Sequence, residues 1–215
     1  PSYLYFFGDE QNKTEYREGV FVGYRYYDKK NMDVLFPFGY GLSYTTFEYS
    51  NLTLDKSKMN DTDTLTVSVN VRNTGKVKGK EVVQLYVGMP ESHTIRPVKE
   101  LRGFEKIELE PGEEKTVTFT LAKRAFAYYR TDISDWYVES GDYTIMAAKS
   151  SRDIACTATV NVTSTTQIKC VYTMNSTIEE IMESPVGREI LGKMMAQNPV
   201  SYTHLRAHET GAYLV

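Results

Sequence analysis

The sequence predicts a mainly β protein built around an immunoglobulin-like sandwich, in which two sheets face each other. Three observations support this prediction. From Tyr44 onward, apolar and polar residues alternate with a period of two, as in strands that are buried on one face. Turn residues separate about seven such strands at short intervals, which is typical of this fold. The composition includes 17 Tyr and 9 Phe, and aromatic residues favour strands.

Residues 35–49, with the sequence LFPFGYGLSYTTFEY, are predicted to form a stiff, tightly packed corner. Aromatic rings bury large apolar areas, and the glycines and proline between them impose special backbone angles. Before this corner, residues 20–27 carry apolar side chains on both faces, which predicts a strand covered on both sides. We therefore expect residues 1–43 to comprise the C-terminal remnant of an α/β sandwich domain and an interdomain junction.

Residues 44–165 are expected to form the β-sandwich, because amphipathic sheets bury their apolar faces against each other. The clearest alternation lies at 65–71, where Leu65 and three valines share one face. Further strands are predicted at 81–88, 98–109, 115–121, 126–130 and 154–163, and a hairpin is predicted at 136–148 with its turn at Gly141-Asp142. The large residues expected in the core or in sheet contacts are Tyr86, Phe104, Phe119, Trp136 and Tyr143.

Residues 166–198 are predicted to form a short helical tail. Ser176 and Glu179 have the spacing of a capping box, and Pro185 suits the first position of a second helix. An apolar stripe at helical spacing is expected to dock on a neighbouring surface, and it consists of Val186, Ile190, Leu191, Met194 and Met195.

Residues 199–215 differ in character from everything before them and are predicted to be a non-native or disordered tail. They contain His204 and His208, whose spacing suits a metal site on a helix. However, Glu209 follows both histidines, whereas a zinc protease requires the glutamate between them. The tail is therefore not expected to bind metal.

Composition and spacing exclude several other kinds of function. The formal charge of −3 argues against a nucleic-acid partner, and no apolar run is long enough to cross a bilayer, so no membrane partner is expected. Cys156 and Cys170 lack metal-site spacing and are interpreted as free thiols rather than a disulfide. No cofactor is expected, because Gly39 and Gly41 open no helix and so form no dinucleotide motif.

Five Asn-x-Ser/Thr triplets begin at Asn12, Asn51, Asn60, Asn161 and Asn175 and are interpreted as chance occurrences. The sequence does not distinguish a bacterial cytoplasmic location from a secreted one.

Several long motifs carry a resemblance to a known family. Residues 16–28, YREGVFVGYRYYD, followed by FPFGYGLSYTTFEYS, resemble the end of the second domain of glycoside hydrolase family 3, the β-glucosidase-like enzymes. The family's next domain is fibronectin type III-like, and it is similar to this chain at 73–75 (NTG), 79–87 (GKEVVQLYV), 96–104 (RPVKELRGF) and 109–113 (LEPGE). The resemblance covers roughly Pro1 to the region of Asn198.

This resemblance implies that the chain is the C-terminal, non-catalytic part of a retaining enzyme that hydrolyses terminal β-linked sugars. In the family, the nucleophile is an Asp on a barrel domain and the acid/base residue lies in the body of the second domain. Both regions fall outside this chain, so the fragment alone is expected to be inactive and to contain no catalytic residue. Its implied partners are the missing barrel and α/β domains and, in the whole enzyme, a carbohydrate; the domain order and the sugar stay open.

Four positions are candidates for chemistry and are interpreted as structural. Ser134-Asp135-Trp136 repeats the family's nucleophile tripeptide but lies between strands, as a turn before a core Trp. Glu18 is expected to have a structural or hydrogen-bonding role, and Arg25 is expected to pair with a carboxylate at a domain junction. His93 lies in a predicted loop without a Ser-His-Asp partnership. No metal ligands are predicted, and substrate-binding residues stay unknown.

Two alternative functions stay open at this point. The chain could be a stand-alone carbohydrate-binding module with Tyr128, Tyr129 and Tyr137 as aromatic platforms. It could also be a purely structural immunoglobulin-like module, which would leave residues 16–49 unexplained.

Overall fold

The computed structural model describes residues 17–168, 176–183 and 185–197. One compact unit ends at Thr166, and a second begins at Gln167. The predictions that lie outside the described residues concern Asn12, Cys170, Asn175 and the tail 199–215 with His204, His208 and Glu209.

Strands make up most of the first unit. In chain order the elements are α1 (Tyr24–Lys29), β1 (Phe47–Leu54), β2 (Lys58–Asn60), β3 (Leu65–Asn73), β4 (Gly79–Gly88), β5 (Glu100–Leu109), β6 (Glu114–Leu121), β7 (Tyr128–Arg130), β8 (Asp135–Tyr137), β9 (Gly141–Ala148), β10 (Ile154–Thr163), α2 (Ile178–Glu183) and α3 (Pro185–Gln197). A single 3-10 turn at Lys123–Ala125 lies between β6 and β7.

The strands form two main sheets, and the predicted mainly β sandwich is confirmed. One sheet has the order β1-β3-β6, and the other has the order β2-β10-β9-β4-β5. All pairs within them are antiparallel except β2 with β10, which is parallel. β7 and β8 form a separate two-stranded hairpin.

Both sheets contribute side chains to one hydrophobic core. In β3 every second residue from Leu65 to Val71 is fully buried, as the alternation predicts. The opposite sheet supplies Leu85, Ile145 and Val160, which are also fully buried. The strict period of two therefore places one face of each sheet against the other.

Three of the five large residues predicted for the core, Tyr86, Phe119 and Tyr143, are buried. Trp136 is half-buried and packs against the core from the β7–β8 hairpin. The prediction for Phe104 is wrong, because its side chain is 69% exposed. The neighbouring Gly103 faces the ring of Phe119, so the alternation of the strand turns Phe104 to the outer face.

The predicted hairpin at 136–148 is also wrong. β8 pairs with β7, in the register Tyr129 opposite Trp136, whereas β9 pairs with β10 and β4. Gly141 begins β9 instead of forming a turn. The short connection before it is held in place, because the hydroxyl of Tyr143 donates to the carbonyl of Glu139 at 2.9 Å.

A helix replaces the strand predicted at 20–27. Gly23 precedes α1 with a φ of 61°, in the left-handed region that glycine tolerates best. The residues before it form a turn, and α1 begins directly after it at Tyr24. A short run with apolar residues on both faces fits a helix as well as a strand, which explains why its period was misleading.

The second unit contains the two helices predicted from the capping and proline signals. α2 begins at Ile178, one residue later than a cap at Ser176 requires, and the Thr177 carbonyl accepts from the Ile181 amide at 3.2 Å. In α3, Val186, Ile190 and Met194 are exposed at intervals of four residues. Docking of this stripe on a neighbouring surface stays a prediction. The described helices include none with the length and apolar character of a membrane span.

Candidate functional site: the attachment of the N-terminal segment

A buried carboxylate fastens residues 17–46, the N-terminal segment, to the sandwich. The side chain of Asp28, in α1, is only 5% exposed. Its Oδ2 accepts from Lys99 Nζ at 2.7 Å, and its Oδ1 accepts from Arg152 Nε at 2.7 Å. Buried charges persist in proteins when they are paired in this way. Since Lys99 precedes β5 and Arg152 lies between β9 and β10, one side chain joins α1 to two connections of the sandwich.

Arg152 also holds the backbone that leaves α1. Its Nη2 donates to the carbonyl of Tyr27 at 3.2 Å and to that of Met32 at 2.8 Å. A planar guanidinium can serve several acceptors at fixed angles, which a lysine cannot do. The path of the chain after α1 is therefore set by a residue of the sandwich.

Tyr24 adds an aromatic contact on the same side. Its hydroxyl accepts from the backbone amide of Leu101 at 2.9 Å. Its ring stacks on Phe38 with centroids 4.7 Å apart and meets Tyr86 edge-on at 6.1 Å. These are the two preferred geometries of aromatic pairs. α1 is thus attached by packing as well as by charge.

Gln84, a buried residue of β4, holds the loop at Gly39. Its Nε2 donates to the carbonyl of Gly39 at 3.0 Å and to that of Lys149 at 2.7 Å, while its Oε1 accepts from the hydroxyl of Tyr86 at 2.7 Å. Gly39 has a φ of 80°, and a Cβ at this position would collide with the Gln84 side chain. The loop can approach β4 this closely only with glycine there.

The side chains of residues 35–44, here called the aromatic segment, mostly face away from the sandwich. Leu35 and Leu42 are each 88% exposed, Phe36 is 66% exposed, and Tyr44 is fully exposed. The predicted tight packing of the corner is therefore wrong for these four side chains, whereas Phe47 and Tyr49 in β1 are buried and Phe38 stacks on Tyr24. Most of the aromatic rings in this segment are therefore exposed to solvent and lie outside the hydrophobic core.

A groove of about 910 Å³ lies between the aromatic segment and β4. Glu81 lines it, and its Oε1 accepts from the hydroxyl of Tyr49 at 2.9 Å. Burial raises the pKa of Glu81, the Tyr49 hydrogen bond and the Lys149 charge oppose this, and the nearby Asp153 adds to it. Two carboxylates, Glu81 and Asp153, therefore line the groove, and burial raises the pKa of Glu81.

Comparison with known proteins places this geometry in a family. The model of the fibronectin type III-like domain matches residues 81–151. Thermostable beta-glucosidase B of Acetivibrio thermocellus is 54% identical over 197 residues, which is 92% of this chain and 26% of that protein. The crystal structure of a GH3 beta-glucosidase of Bifidobacterium adolescentis superposes with a TM-score of 0.78 at 41% identity, covering 89% of this chain and 28% of that one. The chain contains the fibronectin type III-like domain of glycoside hydrolase family 3.

The curated relatives of this chain do not share one named activity. The chain is 50% identical over 151 residues, 70% of its length, to a Bifidobacterium breve protein named Exo-alpha-(1->6)-L-arabinopyranosidase, of which it covers 20%. It thus spans only about a quarter or less of the length of these two curated relatives.

The Ser134-Asp135-Trp136 tripeptide of this family 3 chain lies at the end of the turn between β7 and β8 and at the start of β8. Ser134 has a φ of 51°, and Asp135 Oδ1 accepts from the following amide, of Trp136, at 2.7 Å. The guanidinium of Arg124 covers one face of the Trp136 ring at 3.1 Å from its centroid. Asp135 is the exposed first residue of β8.

Of the other candidates, Arg25 lies 3.4 Å from the carboxylate of Glu100, through its Nη2. Glu18 is half-buried in a turn, and its carbonyl accepts from the amide of Phe21 at 3.0 Å. Neither residue lines the groove.

His93 has a carboxylate partner that the sequence did not reveal. Its Nδ1 lies 2.7 Å from Glu139 Oε1, and its backbone amide donates to the same oxygen at 2.8 Å. The hydroxyl of Ser92 donates to Glu139 Oε2 at 2.6 Å. A serine, a histidine and a carboxylate thus meet, but Ser92 binds the carboxylate and not the histidine, which is not the order of a catalytic triad.

The predicted aromatic platforms are partly occupied by neighbours within the chain. The rings of Tyr128 and Tyr137 meet edge-on at 5.8 Å. Arg96 lies over Tyr128 at 5.5 Å from its centroid, and Arg130 lies over Tyr137 at 5.4 Å. Tyr129 is half exposed.

The remaining candidates carry no site in the described structure. Cys156 is a half-buried free thiol whose pKa is raised by burial. Within residues 17–168, 176–183 and 185–197, His, Cys, Asp and Glu side chains form no group of three that could hold a metal ion.

Four residues that make the attachment were not predicted from the sequence, namely Asp28, Lys99, Arg152 and Gln84. A usable signal existed for Gln84 and Lys99, since each is a polar residue inside a family-like motif, in Val83-Gln84-Leu85 and in Val98-Lys99-Glu100. Polar residues buried in such apolar surroundings need specific partners.

Proposed function

We propose that this chain is the supporting, non-catalytic part of a family 3 β-glycosidase that hydrolyses terminal β-linked sugars with retention. In this proposal the sandwich holds the N-terminal segment as a rigid seat for the catalytic domains. One observation carries it: the backbone of the N-terminal segment is pinned by buried groups, while the side chains of the aromatic segment are exposed.

The aromatic segment exposes large apolar side chains to water. Contiguous apolar residues at a protein surface usually mark an interaction site. A catalytic domain that packs on this segment would bury four exposed apolar side chains, which favours association. They are Leu35, Phe36, Leu42 and Tyr44. Because Asp28 and Gln84 already fix the backbone, little ordering entropy is lost on contact.

The positions of the carboxylates in this chain support the proposal that the fragment alone is inactive. Retaining hydrolysis needs a nucleophile and an acid/base residue about 5–5.5 Å apart across the bond that is cut. Asp135 is the exposed first residue of β8, and its carboxylate accepts from the next amide. Glu81 and Asp153 in the groove are the strongest internal alternative, and they define the test.

The test of inactivity is hydrolysis of an aryl β-glucoside by the purified chain. We expect no release of the aryl group above the rate in buffer. Turnover that disappears in Glu81→Gln and persists in Glu108→Gln, an exposed residue outside the groove, would make the groove an active site and overturn the proposal.

The supporting role is tested in a chimera. This chain replaces the matched quarter of the Acetivibrio thermocellus protein, and aryl β-glucoside hydrolysis is measured beside a version that lacks the region. We expect the chimera to be active and the deletion to be inactive. Leu42→Ser combined with Tyr44→Ser should lower the activity or its thermal stability, while Ile95→Ser, at an exposed apolar residue outside the aromatic segment, should not.

The alternative of a carbohydrate-binding module rests on Tyr129, because arginines lie over the rings of Tyr128 and Tyr137. Titration of the chain with cello-oligosaccharides distinguishes it. Saturable binding that Tyr129→Ala abolishes would favour this alternative over a purely supporting role.

A further inference from the structure

Two arginines contact a single carboxylate where α1 meets β5. Glu100 lies 2.6 Å from Arg102 Nη2, through its Oε2, and 3.4 Å from Arg25 Nη2, through its Oε1. Arg96, in the loop before β5, donates to the carbonyl of Phe126 at 3.2 Å, and its positive charge lowers the pKa of Arg102. We call Arg25, Arg96 and Arg102 the guanidinium cluster.

The guanidinium cluster carries more positive charge than its neighbours balance. Burial lowers the pKa of Arg102; Glu100 raises it, and the positive charges of Arg96 and Arg25 lower it further. Two buried guanidinium nitrogens, Arg96 Nη1 and Arg102 Nε, have no hydrogen-bond partner among the described residues. Arg96 is only 8% exposed, so water does not readily replace the missing partner.

The other carboxylates near the guanidinium cluster are already engaged. Asp28 binds Lys99 and Arg152. Arg96 lies over the ring of Tyr143, whose hydroxyl donates to the backbone carbonyl of Glu139. The carboxylate of Glu139 accepts from Ser92 and His93. Within the described residues, Glu100 is therefore the one carboxylate paired with the cluster, and it contacts two of its members, Arg25 and Arg102.

We propose that the guanidinium cluster binds a carboxylate side chain carried by an acidic segment of the polypeptide that packs against this chain. This inference rests on the proposed supporting function, and it gives that contact its polar component. The side chains of Arg25 and Arg102 are 34% and 21% exposed, so an incoming group can reach them.

A carboxylate fits better than a phosphate dianion. Guanidinium forks match a planar carboxylate with two parallel hydrogen bonds. Glu100 remains in place and repels an incoming group in proportion to its charge, which disfavours a doubly charged one. The site also adjoins the aromatic pair Tyr24–Phe38, so the same partner can cover the apolar and the charged surface.

The test is a calorimetric titration of the full 215-residue chain with a hexaglutamate peptide. We expect saturable binding that weakens with added salt. Arg25→Gln combined with Arg102→Gln should weaken it by about tenfold, since hydrogen bonds to charged groups contribute at this level. Lys115→Gln, at an exposed lysine of β6, is the matched control and should leave the affinity unchanged.

Glu100→Gln gives the sharper outcome. Removal of the competing carboxylate should tighten hexaglutamate binding, whereas a cluster that serves only internal stability should show no gain. Thermal unfolding of each variant checks that it is folded, and Arg25→Gln alone, at the most exposed member, tests the site if the double variant fails to fold.

Other results overturn the proposal. These are no saturable binding, binding unaffected by the arginine substitutions, or inorganic phosphate that binds more tightly than hexaglutamate. The chimera experiment tests the supporting function separately. An inactive chimera would contradict the supporting function, whereas the peptide titration tests only the guanidinium cluster.

Discussion

Asp28 is the residue on which the attachment of the N-terminal segment depends most. Its carboxylate neutralises Lys99, whose side chain is 11% exposed, and also meets Arg152, whose side chain is 30% exposed. Removal of one partner from a buried ion pair is costly because the remaining charge stays away from water.

Asp28→Asn should therefore lower the free energy of unfolding by about 3 kcal/mol, the lower end of the range for buried pairs, because water screens Arg152. Urea unfolding followed by tyrosine fluorescence measures the change. The matched control is Asp132→Asn, which breaks an exposed pair with Arg130 and should leave stability unchanged. Equal effects of the two substitutions would contradict the assigned role of Asp28.

The hydrogen bonds that join the 91–95 loop to the carboxylate of Glu139 depend on pH. Burial alone would raise the pKa of Glu139, but hydrogen bonds from the Ser92 hydroxyl and from the amide and ring of His93 hold it below its ordinary value of 4.5. A lowered pKa in the folded state means that the contribution to stability is present above pH 4.5. It is lost as the pH falls through the lowered pKa.

We expect the amide resonance of His93 to shift as the pH falls below 4.5, because its carboxylate acceptor becomes protonated. An NMR titration from about pH 7 to about pH 2.5 measures this. In Glu139→Gln the acceptor does not titrate, so the shift should vanish. A shift that persists in this variant would assign the titration to another group.

The adjacent strands β4 and β5 show that stability depends on which face of the sheet carries an apolar side chain. Leu85 is fully buried in the core, whereas Phe104 on the adjacent strand points outward. Chemical character alone does not separate them, because both are large and apolar.

Leu85→Ala should cost about 2–5 kcal/mol of unfolding free energy, through lost burial and a residual cavity. Phe104→Ala should cost less than about 0.5 kcal/mol, because the ring is already in water. Urea unfolding of the isolated chain compares them directly. A large loss from Phe104→Ala would show that the strand faces are assigned incorrectly.

Sequence patterns predicted the sandwich strands well because burial on one face forces a period of two. The range 154–163 agrees with β10, and 65–71 lies within β3. The patterns failed where both faces of a run are apolar, as at α1. They also failed where a glycine fits either a turn or the start of a strand, as at Gly141. They also failed at the aromatic segment, since composition shows that rings need burial but not which surface provides it.

The candidate site was less accessible to sequence reasoning. Arg25 was expected to pair with a carboxylate, and it lies beside Glu100. The pairing of Asp28 with Lys99 and Arg152 joins residues far apart in the chain, and no local pattern indicates such a contact. His93 and Glu139 come together for the same reason, through the loop before β5 and the connection between β8 and β9.

Across the molecule as a whole, the aromatic segment leaves an apolar surface open to solvent. Leu35 and Leu42 are its most exposed aliphatic side chains. Such a surface binds hydrophobic dyes and other apolar partners.

Leu35→Ser combined with Leu42→Ser should lower the fluorescence of bound anilinonaphthalene sulfonate by roughly half, because these side chains form much of the exposed apolar area. Ile95→Ser should have little effect, since Ile95 is a single exposed residue in a different loop. Equal losses in the two proteins would show that the dye binds elsewhere.

The parallel pairing of β2 with β10 has a consequence for how the protein is made. β2 lies about a hundred residues before its neighbour in the sequence. During translation, β2 and β9 must both wait for β10 to leave the ribosome before the larger sheet can close. Until then their edges are available to chaperones and to other nascent chains, so the larger sheet is most vulnerable while β10 is being synthesised.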